Sequence, residues 1–358
     1  HLLATHHPLT MLRVGIAGVG FMGMIHFLCY RKVAGVKVAA LCEKEEKRLA
    51  GDWRGIKGNF GPTGTMMDLS GIATYCELDE MLANPAIEVV DICLPPALHC
   101  PVALAALAAG KHVFCEKPIA LKPADANKMV AAAKRAGKQL LVGHVLPFFP
   151  EYSFAHQAIS GGKYGRLLGA QLKRIISDPL WLPDFYNPDR VGGPLLDLHV
   201  HDAHFIRLVC GMPAAVSSRG RMRGKVVEFV QTQFLFDDPG LVVGAMSGAL
   251  AQQGRSFTNA FEIYLERATL LFDFSVLADQ PVVNMPLTVL DDKGKVQRPK
   301  LPLGDPLAGF VNELKEVVRS IRTGKPSPIL GGELARDAVL LCQKQTQSVV
   351  SGRPARCA

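Results

Sequence analysis

The sequence predicts an α/β protein: a doubly wound parallel sheet of Rossmann type, followed by an α+β domain on a large, mostly antiparallel open sheet. Three observations carry this reading. A glycine loop, Gly18-Val19-Gly20-Phe21-Met22-Gly23, directly follows an apolar run. Short apolar runs then alternate with helical stretches to about residue 146. From Pro147 the strand-like runs lengthen and the helices thin out. At 358 residues the chain exceeds one ordinary core. Two domains are expected, 11–146 and 147–358, with the last helix a candidate to pack back on the first.

Residues 12–17 read as the first strand and 22–32 as a helix, with Phe27 and Leu28 among its apolar positions. Residues 36–42 are almost entirely apolar, as in a parallel strand covered on both faces. The polar, Gly-rich stretch 52–71 reads as loop, and 78–83 as a short helix before Asn84-Pro85. Residues 89–94 form a strand ended by Pro95-Pro96, where the ladder stops and the chain must turn. A helix over 99–109 is stopped by Gly110, a strand over 112–115 follows, then a helix over 123–136 closed by Gly137 and a strand over 139–143. In the second domain, strands are expected at 167–176, 215–221, 228–236, 241–250, 261–265 and 269–274. Helices are expected at 152–160, 195–210, 307–323 and 332–351.

Composition narrows the function. A 49% hydrophobic and 20% charged chain is an ordinary globular protein. No apolar run approaches the ~18 residues of a membrane span. The first ten residues lack the basic start and apolar core of a signal peptide, so a native start at Met11 and a cytoplasmic location are expected. The net charge of +8 is dispersed and is not interleaved with aromatics, which favours anionic small molecules over nucleic acid. Nine cysteines lie scattered without a Cys-x-x-Cys pair and read as reduced thiols, not zinc ligands.

In the glycine loop, one glycine permits the turn, one lets backbone approach a pyrophosphate, and one lets helix and strand pack closely. The first helical N–H groups then face the anion. Glu43 ends the second strand twenty residues past Gly23, placed to accept hydrogen bonds from both ribose hydroxyls and to repel a 2′-phosphate. NAD is therefore expected, with NADP kept open by Lys44, Lys47 and Arg48. Gly18, Gly20, Phe21, Met22, Gly23 and Glu43 are the expected cofactor contacts, joined by Leu94, Pro95, His99, Glu116, Lys117 and His144. His99 either faces the dinucleotide or caps its helix.

Lys117 stands at a strand end, in extended backbone imposed by Pro118. Beside a nicotinamide, a partly desolvated lysine can hold a substrate oxygen; otherwise it is a surface lysine. In Gly192-Gly193-Pro194-Leu195-Leu196-Asp197-Leu198-His199-Val200-His201-Asp202, a helix would set Asp197 and His201 on one face. That pair is either an acid–base dyad or a satisfied helix end. His199, His201, Asp202 and His204 raise a metal question, but His199 and His201 cannot share one helix face, so no metal is expected. Trp181, Asp184, Tyr186 and Asn187 are expected to bind substrate through an aromatic face and polar groups, or else to form a packed surface loop.

The chain resembles the Gfo/Idh/MocA oxidoreductases. The resemblance rests on the glycine loop, the segment Pro95 to His99, Ala109-Gly110-Lys111-His112-Val113 leading into Glu116-Lys117-Pro118, and Gly192-Gly193 leading into Asp197 and His201. It implies a Rossmann domain plus an open sheet that often forms a dimer or tetramer interface. It also implies a catalytic set of Lys117, Asp197 and His201, with His201 as main acid/base. Two departures stand out. His144-Val145-Leu146-Pro147-Phe148 lacks the arginine of the family's His-x-x-Arg-Phe pattern, and His199 occupies a position that is often small, where it is expected to reshape the substrate site. The implied activity is hydride transfer between NAD(P) and a carbinol of a carbohydrate or polyol. Two alternatives stay open: redox-neutral glycoside cleavage by transient oxidation with retained NAD, and a non-catalytic NAD-binding regulator.

Overall fold

The computed structural model describes residues 11–58, 60–302 and 305–357. The expected upstream segment 1–10 lies outside the described residues. The chain forms two compact units. One holds the residues up to Glu116 with Lys128–Gly143 and Asp305–Gly332; the other holds Lys117–Asn127, the stretch from His144 to the described end at 302, and the residues from Glu333 on.

The first unit is built on β1 (Leu12–Ala17), α1 (Phe21–Tyr30), β2 (Val36–Cys42), α2 (Glu46–Leu49), β3 (Ala73–Tyr75), α3 (Leu78–Ala83), β4 (Val89–Ile92), α4 (Pro96–Ala108), β5 (His112–Glu116), the part of α5 (Pro123–Ala136) from Lys128 on, and β6 (Leu140–Gly143). Its six strands pair in parallel in the order β3-β2-β1-β4-β5-β6. Ile16, Val89, Val90, Ile92, Val113, Phe114, Leu141 and Val142 are completely buried or nearly so, the signature of a sheet covered on both faces. Each such side chain contributes about 1.5–3 kcal/mol by leaving water. The loop after α2 is anchored by Trp53, fully buried edge-on against Phe27, with its indole N–H donating to the Arg48 carbonyl. Strand order reverses between β1 and β4, so the carboxyl ends of these strands form the crevice where open α/β sheets take ligands.

The second unit centres on β7 (Leu167–Ser177), with α6 (Pro150–Ser160), α7 (Val200–Cys210), β8 (Ala215–Arg223), β9 (Val226–Leu235), β10 (Val242–Leu250), β11 (Arg255–Leu265), β12 (Ala268–Leu277), β13 (Gln280–Asp291), β14 (Val296–Gln297) and β15 (Ala355–Arg356). The late helices are α8 (Ala308–Thr323), which belongs to the first unit, and α9 (Gly332–Ser351), most of which belongs to the second. The nine strands run in the order β14-β13-β12-β11-β7-β10-β9-β8-β15, antiparallel except for the β7–β10 pair. Leu172, Ala245, Phe261 and Phe272 share the buried face. Val242, Met246, Tyr264 and Met285 share the exposed one.

Several elements differ from expectation. β3 is only a three-residue edge strand, too short to show a period. β13 contains Pro281 and Pro286, which mark a run as non-strand unless an edge is free. Here β14 pairs with β13 only at Val289 and Leu290, so the remaining outer edge needs no donors. The helix expected over 195–210 is split: Leu195–His199 is a π-helical turn and α7 begins at Val200.

Candidate functional site

In the first unit, the glycine loop joins β1 to α1 and each glycine has a distinct constraint. Gly18 has φ +95°, and a Cβ there would lie 2.6 Å from the Cys93 carbonyl. A Cβ on Gly23 would meet the Gly18 carbonyl at 2.0 Å. At Gly20 a Cβ would meet nothing within 4 Å, so open space lies above the loop. Gly20 also caps α1 with no side-chain hydrogen bond, which leaves the first amides of the helix to an anion. Phe21 turns edge-on to Phe60 at 4.8 Å.

Glu43 is held beside this loop. Its carboxylate accepts from the backbone N–H groups of Val19 (2.8 Å), Lys44 (2.7 Å) and Glu45 (3.2 Å). Arg48, one of the basic residues that kept NADP open in the sequence, donates to the Val19 carbonyl at 3.2 Å and lies 3.6 Å from Glu43. Arg48 also pairs with Glu45 at 2.8 Å, so two acids offset its charge. The open cradle, uncapped helix start and acid fit a dinucleotide with a free 2′-hydroxyl. His99 is buried and its Nε2–H donates to the Leu94 carbonyl at 2.7 Å, while no side-chain hydrogen bond caps the start of α4.

In the second unit, Lys117, Asp197, His144, His201 and His204 come together. The Lys117 ammonium donates to the Asp197 backbone carbonyl at 2.6 Å and to its carboxylate at 3.1 Å. Lys117 is 19% exposed at its side chain, enough to reach a ligand while partly desolvated. The expected direct Asp197–His201 dyad is corrected: among the described residues no hydrogen bond joins them, and the carboxylate is engaged by the ammonium in a charge-assisted bond. His201 stands edge-on to His144 at 6.1 Å, and His144 stacks flat on His204 at 4.0 Å and 6°. Burial, then Lys117, Arg174 and His204, hold the His201 pKa well below its usual value. His144 is likewise kept neutral, by burial and then by His204, His201 and Lys117. A neutral imidazole near an ammonium can accept a proton while the ammonium holds an oxygen.

His144 was expected at the cofactor, but both its ring nitrogens are buried without hydrogen-bond partners inside this imidazole group. His199 was expected to contact substrate; it is fully buried beside Gln345, and burial pushes its pKa down to about 4. The loop expected to bind substrate divides. Tyr186 donates to Asp178 at 2.9 Å beneath the Arg223 guanidinium, which lies 3.9 Å from the ring centre. Asp184 pairs with Arg190 at 3.0 Å, and the Asn187 side chain accepts from the Asp189 N–H at 3.0 Å. These three hold the loop itself. Trp181 is 74% exposed and remains available to a ligand. Behind α7, Arg174 and Asp202 form a buried bidentate pair that ties the helix to β7, a feature the sequence pattern did not reveal.

Residues 12–144 match the family model of the Gfo/Idh/MocA oxidoreductases, described as an NAD-binding Rossmann fold, and residues 152–271 match the GFO/IDH/MocA C-terminal domain. The chain belongs to this family. It is 31% identical over 235 residues to 1,5-anhydro-D-fructose reductase of Ensifer adhaerens, covering 63% of this chain and 68% of that protein. It is 26% identical over 335 residues to myo-inositol 2-dehydrogenase of Thermotoga maritima, covering 92% and 94%. In fold it is similar to levoglucosan dehydrogenase in complex with NADH and levoglucosan, with a TM-score of 0.78, 21% identity, and coverage of 97% and 100%. Among the described residues no helix is long and apolar enough to cross a membrane.

Proposed function

We propose that the protein transfers a hydride between NAD and a carbinol carbon of a sugar, polyol or related carbohydrate. The observation that carries this reading is Lys117 seated on Asp197 in one unit with a neutral His201. Bound NAD would supply the hydride acceptor, held by the Gly18 to Gly23 loop with Glu43 on its ribose. Lys117 holds the carbinol oxygen, and His201 accepts its proton as the C–H bond breaks. Asp197 orients the ammonium. The names of the two curated relatives, a sugar reductase and an inositol dehydrogenase, support the substrate class.

The unit that carries the glycine loop and Glu43 is assigned the dinucleotide, and the unit that carries Lys117, Asp197 and His201 is assigned substrate and assembly. A second copy is proposed to dock on the exposed sheet face bearing Val242, Met246, Tyr264 and Met285, as a homodimer or homotetramer. The free thiols fit a reducing compartment such as the cytoplasm. The test is absorbance at 340 nm with NAD or NADP against a panel of sugars, polyols and their keto forms. A signal with one substrate supports the reading. No signal with any, alongside dinucleotide released only on denaturation, refutes net hydride transfer.

A further inference from the structure

A second cluster of polar groups lies wholly inside the first unit, and the chemistry above makes no use of it. His26, on α1 and three residues past the glycine loop, is completely buried. Its Nδ1 lies 2.9 and 3.2 Å from the two oxygens of Asp91, and 3.3 Å from the Cys93 thiol. Its Nε2 lies 3.1 Å from Glu116 Oε1, an ion-pair contact off the hydrogen-bond axis. Asp91 and Cys93 sit on and just after β4, and Glu116 is the last residue of β5. The imidazole also stacks on Phe114 of β5 at 5.3 Å.

One ring therefore bridges three segments that the sequence separates widely: the helix that starts at the dinucleotide loop, the strand end leading to Leu94 and Pro95, and the strand end leading into Lys117. We propose that His26 is a positioning residue for hydride transfer, clasping Asp91 and Glu116 so that the glycine-loop helix is held in fixed register on the ends of β4 and β5. This rests on the function proposed above.

The charges around the ring support the clasp. The groups facing it are Asp91 and Cys93 from β4 and its end, Glu116 from β5, Cys29 from its own helix and Glu313 from α8. Burial alone would press the imidazole toward neutrality, but Asp91 and Cys93 outweigh it and raise the His26 pKa well above 6.5. The ring then carries a proton on both nitrogens, so that Nδ1–H donates to Asp91 while Nε2–H faces Glu116 as an ion-pair contact. Ligand atoms of His26, Asp91 and Cys93 lie within 4.8 Å of one another, a spacing that could also hold a metal ion. An imidazolium supplies the positive charge that the carboxylates require without one.

The experiment combines imidazole NMR with kinetics on the full chain. In ¹⁵N-labelled wild type, His26 is expected to stay doubly protonated at pH 8; a neutral ring at pH 7, or one zinc retained per chain, overturns the clasp whether or not a substrate is known. In His26→Gln, kcat is expected to fall at least thirtyfold, with a full primary isotope effect and an NAD Kd within threefold of wild type. Wild-type kcat in that variant, or a loss confined to Kd or to melting temperature, overturns the positioning role. If His26→Gln fails to fold, Glu116→Gln serves: a smaller loss of kcat and a lowered His26 pKa are expected, and no change in either overturns it. Absence of turnover in wild type would instead refute the hydride-transfer reading, leaving the NMR result to decide the clasp.

Discussion

Replacing Asp202 with Asn tests whether a buried ion pair holds the helix that carries His201. Arg174 and Asp202 are 3% and 1% exposed at their side chains. Two hydrogen bonds join them, Nε to Oδ2 at 2.8 Å and Nη2 to Oδ1 at 2.9 Å. Removing one member of such a pair leaves the other charge uncompensated and costs about 3–5 kcal/mol. Asn259 Oδ1 at 3.3 Å and Tyr152 Oη at 3.5 Å remain near the guanidinium, which favours the lower end. Asp202→Asn is therefore expected to destabilise by about 3 kcal/mol, roughly a hundredfold in the unfolding equilibrium. Replacing the pair together, Arg174→Met with Asp202→Leu, removes both desolvated charges and is expected to recover most of that loss. Urea unfolding followed by near-ultraviolet circular dichroism reads both variants. A single variant within about 0.5 kcal/mol of wild type, or a double variant worse than either single one, would refute the reasoning.

Three further outcomes follow from the same geometry. Protonated His201 cannot take the carbinol proton, so kcat/KM for oxidation should fall as pH drops, with an acid limb below 6.5; a limb centred above 6.5 contradicts the neutral base. His199 titrates at about 4 when folded, so its contribution is complete above 6.5 and is lost as pH falls toward 4, on the order of 3 kcal/mol, read as a falling urea midpoint between pH 7 and pH 4.5. Glu313 is fully buried with neither carboxylate oxygen hydrogen-bonded, and burial, then Glu116, raises its pKa. The unfolded chain ionises it above 4.5 while the fold resists, so stability is lost as pH rises. Glu313→Gln should raise the melting temperature more at pH 8 than at pH 4.5, and an equal or negative shift at pH 8 would contradict this.

The Rossmann half was legible because its signals are local. Apart from the short edge strand β3, its strands are largely apolar runs, and Gly110 and Gly137 close their helices at φ +73° and +61°. The glycine loop and Glu43 could be placed for the same reason, since strand, turn and acid lie within one βαβ unit. The partners of the site residues could not be read. Asp197 and His201 have helical spacing, but Lys117, eighty residues before Asp197, competes for the carboxylate. His144 and His199 looked available because histidines usually are; only the fold shows one stacked on His204 and the other buried beside Gln345. Tyr186 and Asp184 are polar residues in a loop, and their partners Arg223 and Arg190 are fixed by tertiary and local geometry that no period encodes.

The most direct test of the account is single-turnover formation of NADH at 340 nm in wild type, Lys117→Met and His201→Gln, with NAD affinity measured in parallel. The rate is expected to fall at least a hundredfold in both variants, the scale of removing a general base or an oxyanion partner, with NAD affinity nearly unchanged. A rate equal to wild type in either variant would contradict the roles assigned to Lys117 and His201.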